Sequence, residues 1–187
     1  NWNIPNFTYA TNTNPRAATA PAASPWDRDC GKWKRDDEVF IPKNRDWGPT
    51  NFPVLRYADV LLMLAEAQNE LGDNTNARIN INSVRTRASA APVSIAQSSD
   101  ISIFRQIIRD ERARELCFEG LRKFDLIRWG EFYNAMVNCK NAISNSTSLY
   151  KTRYLTAYNN VGLRDTLLPI PSTELSVNGM MTQNPGW

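Results

Sequence analysis

Glu111, Glu115 and Glu119 recur every four residues in the stretch RDERARELCFEGLRKFDLIRWG, residues 109–130, a spacing that puts them on one face of a helix. Two carboxylates about 5 Å apart across a cleft are what a retaining glycosidase uses as nucleophile and acid. The same stretch holds eleven charged residues. Arg112, Arg114, Arg122 and Arg128 stand close enough in sequence to hold the carboxylates ionised. Glu119 with Arg122, and Asp125 with Arg128, have the i,i+3 spacing of helical ion pairs. Between the charges lie Leu116, Phe118, Leu121, Phe124, Leu126, Ile127 and Trp129, too apolar a set for a solvated helix. A charge left unpaired among them would cost several kcal/mol. Glu111, Arg114, Glu115, Glu119, Arg122, Asp125 and Arg128 therefore read as a structural ionic clamp, and no residue is assigned a catalytic role.

Other chemistries are excluded by composition. The chain has no histidine, which removes Ser-His and Cys-His catalysis and the zinc-helix motifs. Cys30, Cys117 and Cys139 lack metal-ligand spacing, and Cys117, between Leu116 and Phe118, reads as a small buried hydrophobe. No metal or cofactor is expected. The 22 basic residues are interspersed with 19 acidic ones for a net charge of +3, without the basic stripe that nucleic acid requires. No apolar run approaches the roughly 20 residues of a membrane-spanning helix.

The elements that would position the clamp are helical. From Pro53 to Gly72 an apolar stripe of Leu55, Ala58, Leu62 and Ala65 is widened by Val54, Tyr57, Leu61 and Leu64, which predicts a helix buried on more than one side. Pro53 suits its first turn, Gly72 its stop, and Arg56 a tether to a carboxylate or loop. A second helix over 75–88 turns Ala77, Ile81, Val84 and Ala88 inward. The short Gly72-Asp73-Asn74 link makes the two an antiparallel hairpin of tetratricopeptide type. Asp100 or Ser99 can cap a third helix reaching Phe118, with Ile103, Ile107, Arg114 and Phe118 on one face. Short helices over 122–129 and 131–143 follow, the latter with Phe132, Met136 and Val137 inward. Residues 145–164 read as an exposed polar loop. The tail reads as an extended piece at 167–170, one helical turn from Ser172, and a turn-rich end. Strand content is minimal.

Residues 1–52 differ in kind. Pro5, Pro15, Pro21, Pro25, Pro42 and Pro49 oppose any long helix or central strand, and aromatics are scattered among Asn, Thr and Ala. So long an irregular segment in a compact protein is usually functional. Trp26 beside Asp27 and Arg28, Trp47 after Asp46, and Trp33 between Lys32 and Lys34 combine a flat ring with polar neighbours, as sugar recognition needs. These three tryptophans are the candidate ligand contacts.

Five blocks, FPVLRYADVLLMLAEAQNELG (52–72), SVRTRA (83–88), residues 109–130, LLPIPSTEL (167–175) and QNPGW (183–187), together resemble the C-terminal half of the SusD/RagB family of outer-membrane nutrient-binding lipoproteins of Bacteroidetes. The resemblance covers about residues 53–187. It implies a mainly α fold of tetratricopeptide-like helical hairpins with long irregular loops, a 1–52 loop segment preceding a 53–187 helical domain, and the missing N-terminal part of the same protein as a partner. It also implies a lipid-anchored protein on the outward face of the outer membrane. There it would capture an oligosaccharide or other oligomer for a SusC-like TonB-dependent barrel. The family's ligand residues lie on variable loops, so none is carried over by motif. The alternatives are a helical interaction module without its own ligand site, and a glycoside hydrolase working through Glu111 and Glu115.

Overall fold

A computed structural model of the chain describes residues 26, 32, 48, 51–148 and 150–187. Seven α-helices and no strand occur among them: α1 Tyr57–Glu70, α2 Asn74–Arg87, α3 Ile101–Glu115, α4 Arg122–Arg128, α5 Phe132–Ser144, α6 Lys151–Asn159 and α7 Ser172–Val177. The backbone divides into two compact units, Arg35–Arg122, and Asn1–Lys34 with Lys123–Trp187.

In the first unit α1 and α2 form the expected hairpin. The chain reverses at Gly72 in a left-handed conformation (φ +79°), which glycine adopts without steric cost. The Asp73 amide donates to the Gln68 carbonyl at 2.8 Å and the Gly72 amide to Asn69 at 3.0 Å, satisfying the last carbonyls of α1. Asp73 then caps α2 by accepting from the Asn76 amide, and Asp100 caps α3 by accepting from the amides of Ser102 and Ile103. Leu62, Ala65, Ala77, Ile81, Val84, Val93, Phe104 and Ile108 form one core among α1, α2, α3 and the α2–α3 link. That link is fastened by Asn82, whose side-chain amide accepts from the Val93 N–H (2.7 Å) and donates to its carbonyl (3.1 Å). Asn69, fully buried, likewise donates to the Ile101 carbonyl at the start of α3.

Several expectations are corrected here. α1 begins at Tyr57, leaving Val54 and Leu55 exposed ahead of it. Within this chain α1 is buried along one stripe only, while Val60, Met63 and Leu64 are exposed on another. Ala88 is exposed just past the end of α2. α3 stops at Glu115 rather than Phe118, and its buried line is Phe104, Ile108, Glu111 and Arg112, with Ile103 outside. Phe118 is exposed in a turn at φ +63°, a left-handed conformation unfavourable for a bulky side chain.

Among the described residues of the second unit, Leu126, Phe132 and Ile143 are the buried apolar ones. Met136 is half-buried and Val137 faces solvent, so the inner face of α5 is set by its two ends. Residues 151–159 are helix α6, not the expected loop. The spacing of Tyr150, Tyr154 and Tyr158 by four is the helical period, and Tyr154 and Tyr158 are half-buried.

Candidate functional site

The carboxylates that suggested acid–base chemistry are covered by arginines from distant helices. Arg56, the residue before α1, forks onto Glu119. Its Nε donates to Oε2 at 2.9 Å and its Nη2 to Oε1 at 2.8 Å, a bidentate arrangement. The same guanidinium lies 2.9 Å from Glu115 Oε1 and donates to the Glu115 carbonyl at 3.1 Å. These contacts, the Glu119 hydrogen bonds foremost, raise the Arg56 pKa beyond its ordinary value. Arg87 from α2 completes the Glu115 pair at 2.5 Å. Glu111 is bonded by Arg85 from α2 and by Arg114, at 3.0 Å, on its own helix. Arg112 reaches Asp59 on α1 at 2.8 Å, both side chains under a tenth exposed.

Glu111 and Glu119 are buried beneath guanidinium groups instead of lining a cleft. Arg122 donates to the Arg109 carbonyl at 3.4 Å, and Asp125 pairs with Arg128 at 3.0 Å one helical turn away. Arg56 is the expected carboxylate tether, but sequence spacing pointed to the local pairs and did not select Glu119 as its partner, nor Arg85 and Arg87 as those of Glu111 and Glu115. An arginine on the flank of an otherwise apolar helix is the signal that was available. The arrangement is built to hold α1, α2 and α3 together. A shallow open depression on α2, lined by Arg78, Ile79, Asn82, Ser83, Thr86 and Arg87, contains none of the three glutamates.

Of the three tryptophans singled out, Trp33 and Trp47 lie outside the described residues. Trp26 is half-buried, and its carbonyl accepts a 3.0 Å hydrogen bond from the Tyr154 hydroxyl on α6. Beside it Tyr150 and Tyr154 meet edge to face, with ring centroids 6.3 Å apart and planes at 66°. Further along α6, burial pushes the Tyr158 phenol up, and a hydrogen bond with the Cys139 thiol adds to the rise. Cys117 and Cys139 are both half-buried, and Cys30 lies outside the described residues. Among the described residues no group of three His, Cys, Asp or Glu side chains could hold a metal ion. No described helix is long and apolar enough to cross a membrane.

The tail is clipped by its own side chains. Gln183 accepts from the Ile170 N–H (2.8 Å) and donates to its carbonyl (3.0 Å), while Asn184 donates to the Leu168 carbonyl at 2.7 Å. Trp187 lies 4.6 Å from the Arg164 guanidinium, and its indole N–H donates to the Arg164 and Leu167 carbonyls. Gly186 (φ +86°) has no room for a side chain, since a Cβ there would fall 2.9 Å from that of Arg164.

The α1–α2 hairpin with α3 packed against it gives the described residues a mainly helical, tetratricopeptide-like arrangement. The chain belongs to the SusD family, which it matches over residues 7–187. It is 37% identical over 132 residues to the SusD-like protein P25 of Formosa agariphila, covering 70% of this chain and 23% of that protein. It is 30% identical over 140 residues to the starch-binding protein SusD of Bacteroides thetaiotaomicron, covering 74% and 22%. A solved SusD homologue from Bacteroides thetaiotaomicron superposes with a TM-score of 0.64 at 34% identity, over 77% of this chain and 28% of that one. The chain thus spans about a quarter of the length of these relatives.

Proposed function

We propose that this chain is part of a glycan-binding component of an outer-membrane uptake system. In this reading, residues 53–187 form the helical part, and residues 1–52 supply ring-stacking contacts through Trp26, Trp47 and Trp33. The captured oligosaccharide passes to a SusC-like TonB-dependent barrel, and a lipid anchor in an N-terminal region of the same protein holds it at the outward-facing surface. The observation that carries the reading is family membership together with similarity to a relative named as starch-binding. The paired, buried glutamates support binding without catalysis, because a glycosidase acid must face substrate across a cleft.

A calorimetric titration of the chain against maltoheptaose, laminarihexaose, cellohexaose and mannohexaose tests this. Saturable binding of at least one oligosaccharide is expected, with no shortened product and with weaker binding after Trp26→Ala or Trp47→Ala. Hydrolysis abolished by Glu111→Gln would establish an enzyme instead. A helical interaction module is the second reading, favoured by the exposed Val60, Met63 and Leu64 on α1. It requires that none of the four oligosaccharides binds.

A further inference from the structure

We propose that Asn178, at the end of α7, is a self-modifying site. The backbone nitrogen of Gly179 attacks its side-chain amide, and water then opens the resulting ring to aspartate or isoaspartate. This chemistry is independent of glycan binding.

Asn178 and Gly179 are the one Asn-Gly pair of the chain. Any other residue after an asparagine carries a Cβ that crowds its own backbone nitrogen, and glycine leaves that nitrogen open. The pair follows Val177, the last residue of α7. Asn178 and Gly179 are both exposed, and Met180 beyond them is 93% exposed. Closing the ring requires rotation about the Asn178 Cα–C bond. Nothing packed against Gly179 opposes it, since even a Cβ built there would meet no atom within 4 Å.

The hydrogen bonds of this turn leave the reacting nitrogen available. The Asn178 N–H donates to the Glu174 carbonyl and the Met181 N–H to the Asn178 carbonyl, both at 3.0 Å. The Met180 N–H donates to Asn178 Oδ1 at 3.2 Å. Among the described residues none accepts from the Gly179 N–H. The Met180 bond is the one by which an asparagine side chain mimics a turn. A donor on Oδ1 draws electrons from Cγ and stabilises the charge that this oxygen takes on under attack. Nucleophile and electrophile sit on adjoining residues, so the reaction is intramolecular and needs no encounter.

In the first step the Gly179 nitrogen gives its proton to solvent and bonds to Cγ. The Cγ–Nδ2 bond breaks, and Nδ2 takes up a proton and leaves as ammonia. One water, the only co-reactant, then adds to either carbonyl of the cyclic imide. Cleavage at Cγ gives aspartate, and cleavage at the main-chain carbonyl carbon gives isoaspartate, in which the chain runs through the side chain. Either product sets a carboxylate at the negative end of α7, one turn after Glu174, where it is unfavourable. Isoaspartate also lengthens the main chain inside the turn and removes the carbonyl position that Met181 uses.

The test incubates the whole 187-residue chain and its Gly179→Ala variant in mildly alkaline buffer, followed by tryptic digestion and mass spectrometry. Asn178 falls in the peptide 165–187, whose other asparagine, Asn184, precedes Pro185 and is an internal control because that nitrogen has no hydrogen to lose. Conversion at Asn178 is expected to be at least about tenfold faster than at any other asparagine, a barrier lower by roughly 1.4 kcal/mol. Isoaspartate should be among the products. Gly179→Ala should slow the conversion by about tenfold or more. Hydrogen exchange at the Met181 amide should quicken in the isoaspartyl form. A rate at Asn178 no greater than at the other asparagines overturns the proposal, as does a rate that Gly179→Ala leaves unchanged. Aspartate formed without isoaspartate also overturns it, because water would then have attacked the side chain directly. Retained protection at Met181 overturns the opening of the turn.

Discussion

In Arg35–Arg122 the helices are joined by charge as well as hydrocarbon, whereas among the described residues of the unit with Lys123–Trp187 the contacts distant in sequence run through amides, hydroxyls, rings and the Arg164 guanidinium. Arg56, Arg85, Arg87 and Arg112 cross between helices to Glu119, Glu111, Glu115 and Asp59. In the other unit Gln183 copies a strand partner for Ile170, Tyr154 holds Trp26, and Trp187 lies on Arg164. Buried ion pairs tolerate the loss of one member poorly, because the other is left charged without solvent. Neutral hydrogen bonds near a surface are replaced by water at small cost. The first arrangement suits a fixed base, and the second leaves rings and backbone near solvent.

The largest effect should come from the most buried pair. Arg112→Ala should lower unfolding stability by roughly 3–5 kcal/mol, the cost of stranding a buried charge, measured by denaturant titration. Replacing both members, Asp59→Leu with Arg112→Met, should recover most of that loss. If the single substitution costs no more than a surface change, the base is not held by its charges and the contrast between the units fails.

A smaller and local effect is expected at the tail. Gln183→Ala removes two hydrogen bonds, each worth about 1 kcal/mol net. Hydrogen exchange should quicken at the Ile170 amide while the main melting transition moves little. A large drop in the melting temperature would show that the tail shares in the global fold as deeply as the ion pairs.

The smallest effect concerns the exposed Arg105–Glu70 pair (2.5 Å), in which the Arg105 hydrogen bonds hold the Glu70 carboxyl below its usual range. A depressed carboxylate contributes stability above its unfolded pKa and loses it as pH falls through the lower folded value. Arg105→Ala should therefore destabilise slightly at neutral pH, and the difference should vanish in acid. Denaturation midpoints of the two proteins that stay apart in acid would exclude this assignment.

Much of the helical base was legible because its signals are local. Gly72 marks the turn, Asp100 the cap of α3, and Ala77, Ile81 and Val84 the inner face of α2. The Asp125–Arg128 pair was visible because its members lie on one helical turn. The errors arose where apolar residues of α1 and α5 outnumber the neighbours that cover them, as at Leu64 and Val137. They also arose where polar residues obscured a helix, as over α6.

Sequence by itself determined the family, the helical class, the hairpin and the absence of histidine chemistry, because each depends on residue type or on spacing within a few turns. Only the tertiary structure decided which arginine holds which glutamate. Arg56 and Glu119 are 63 residues apart, and nothing in local spacing selects that pair over Glu119 with Arg122. It likewise decided that Tyr150 faces solvent while Tyr154 turns to Trp26, since burial depends on what the rest of the chain places beside each ring.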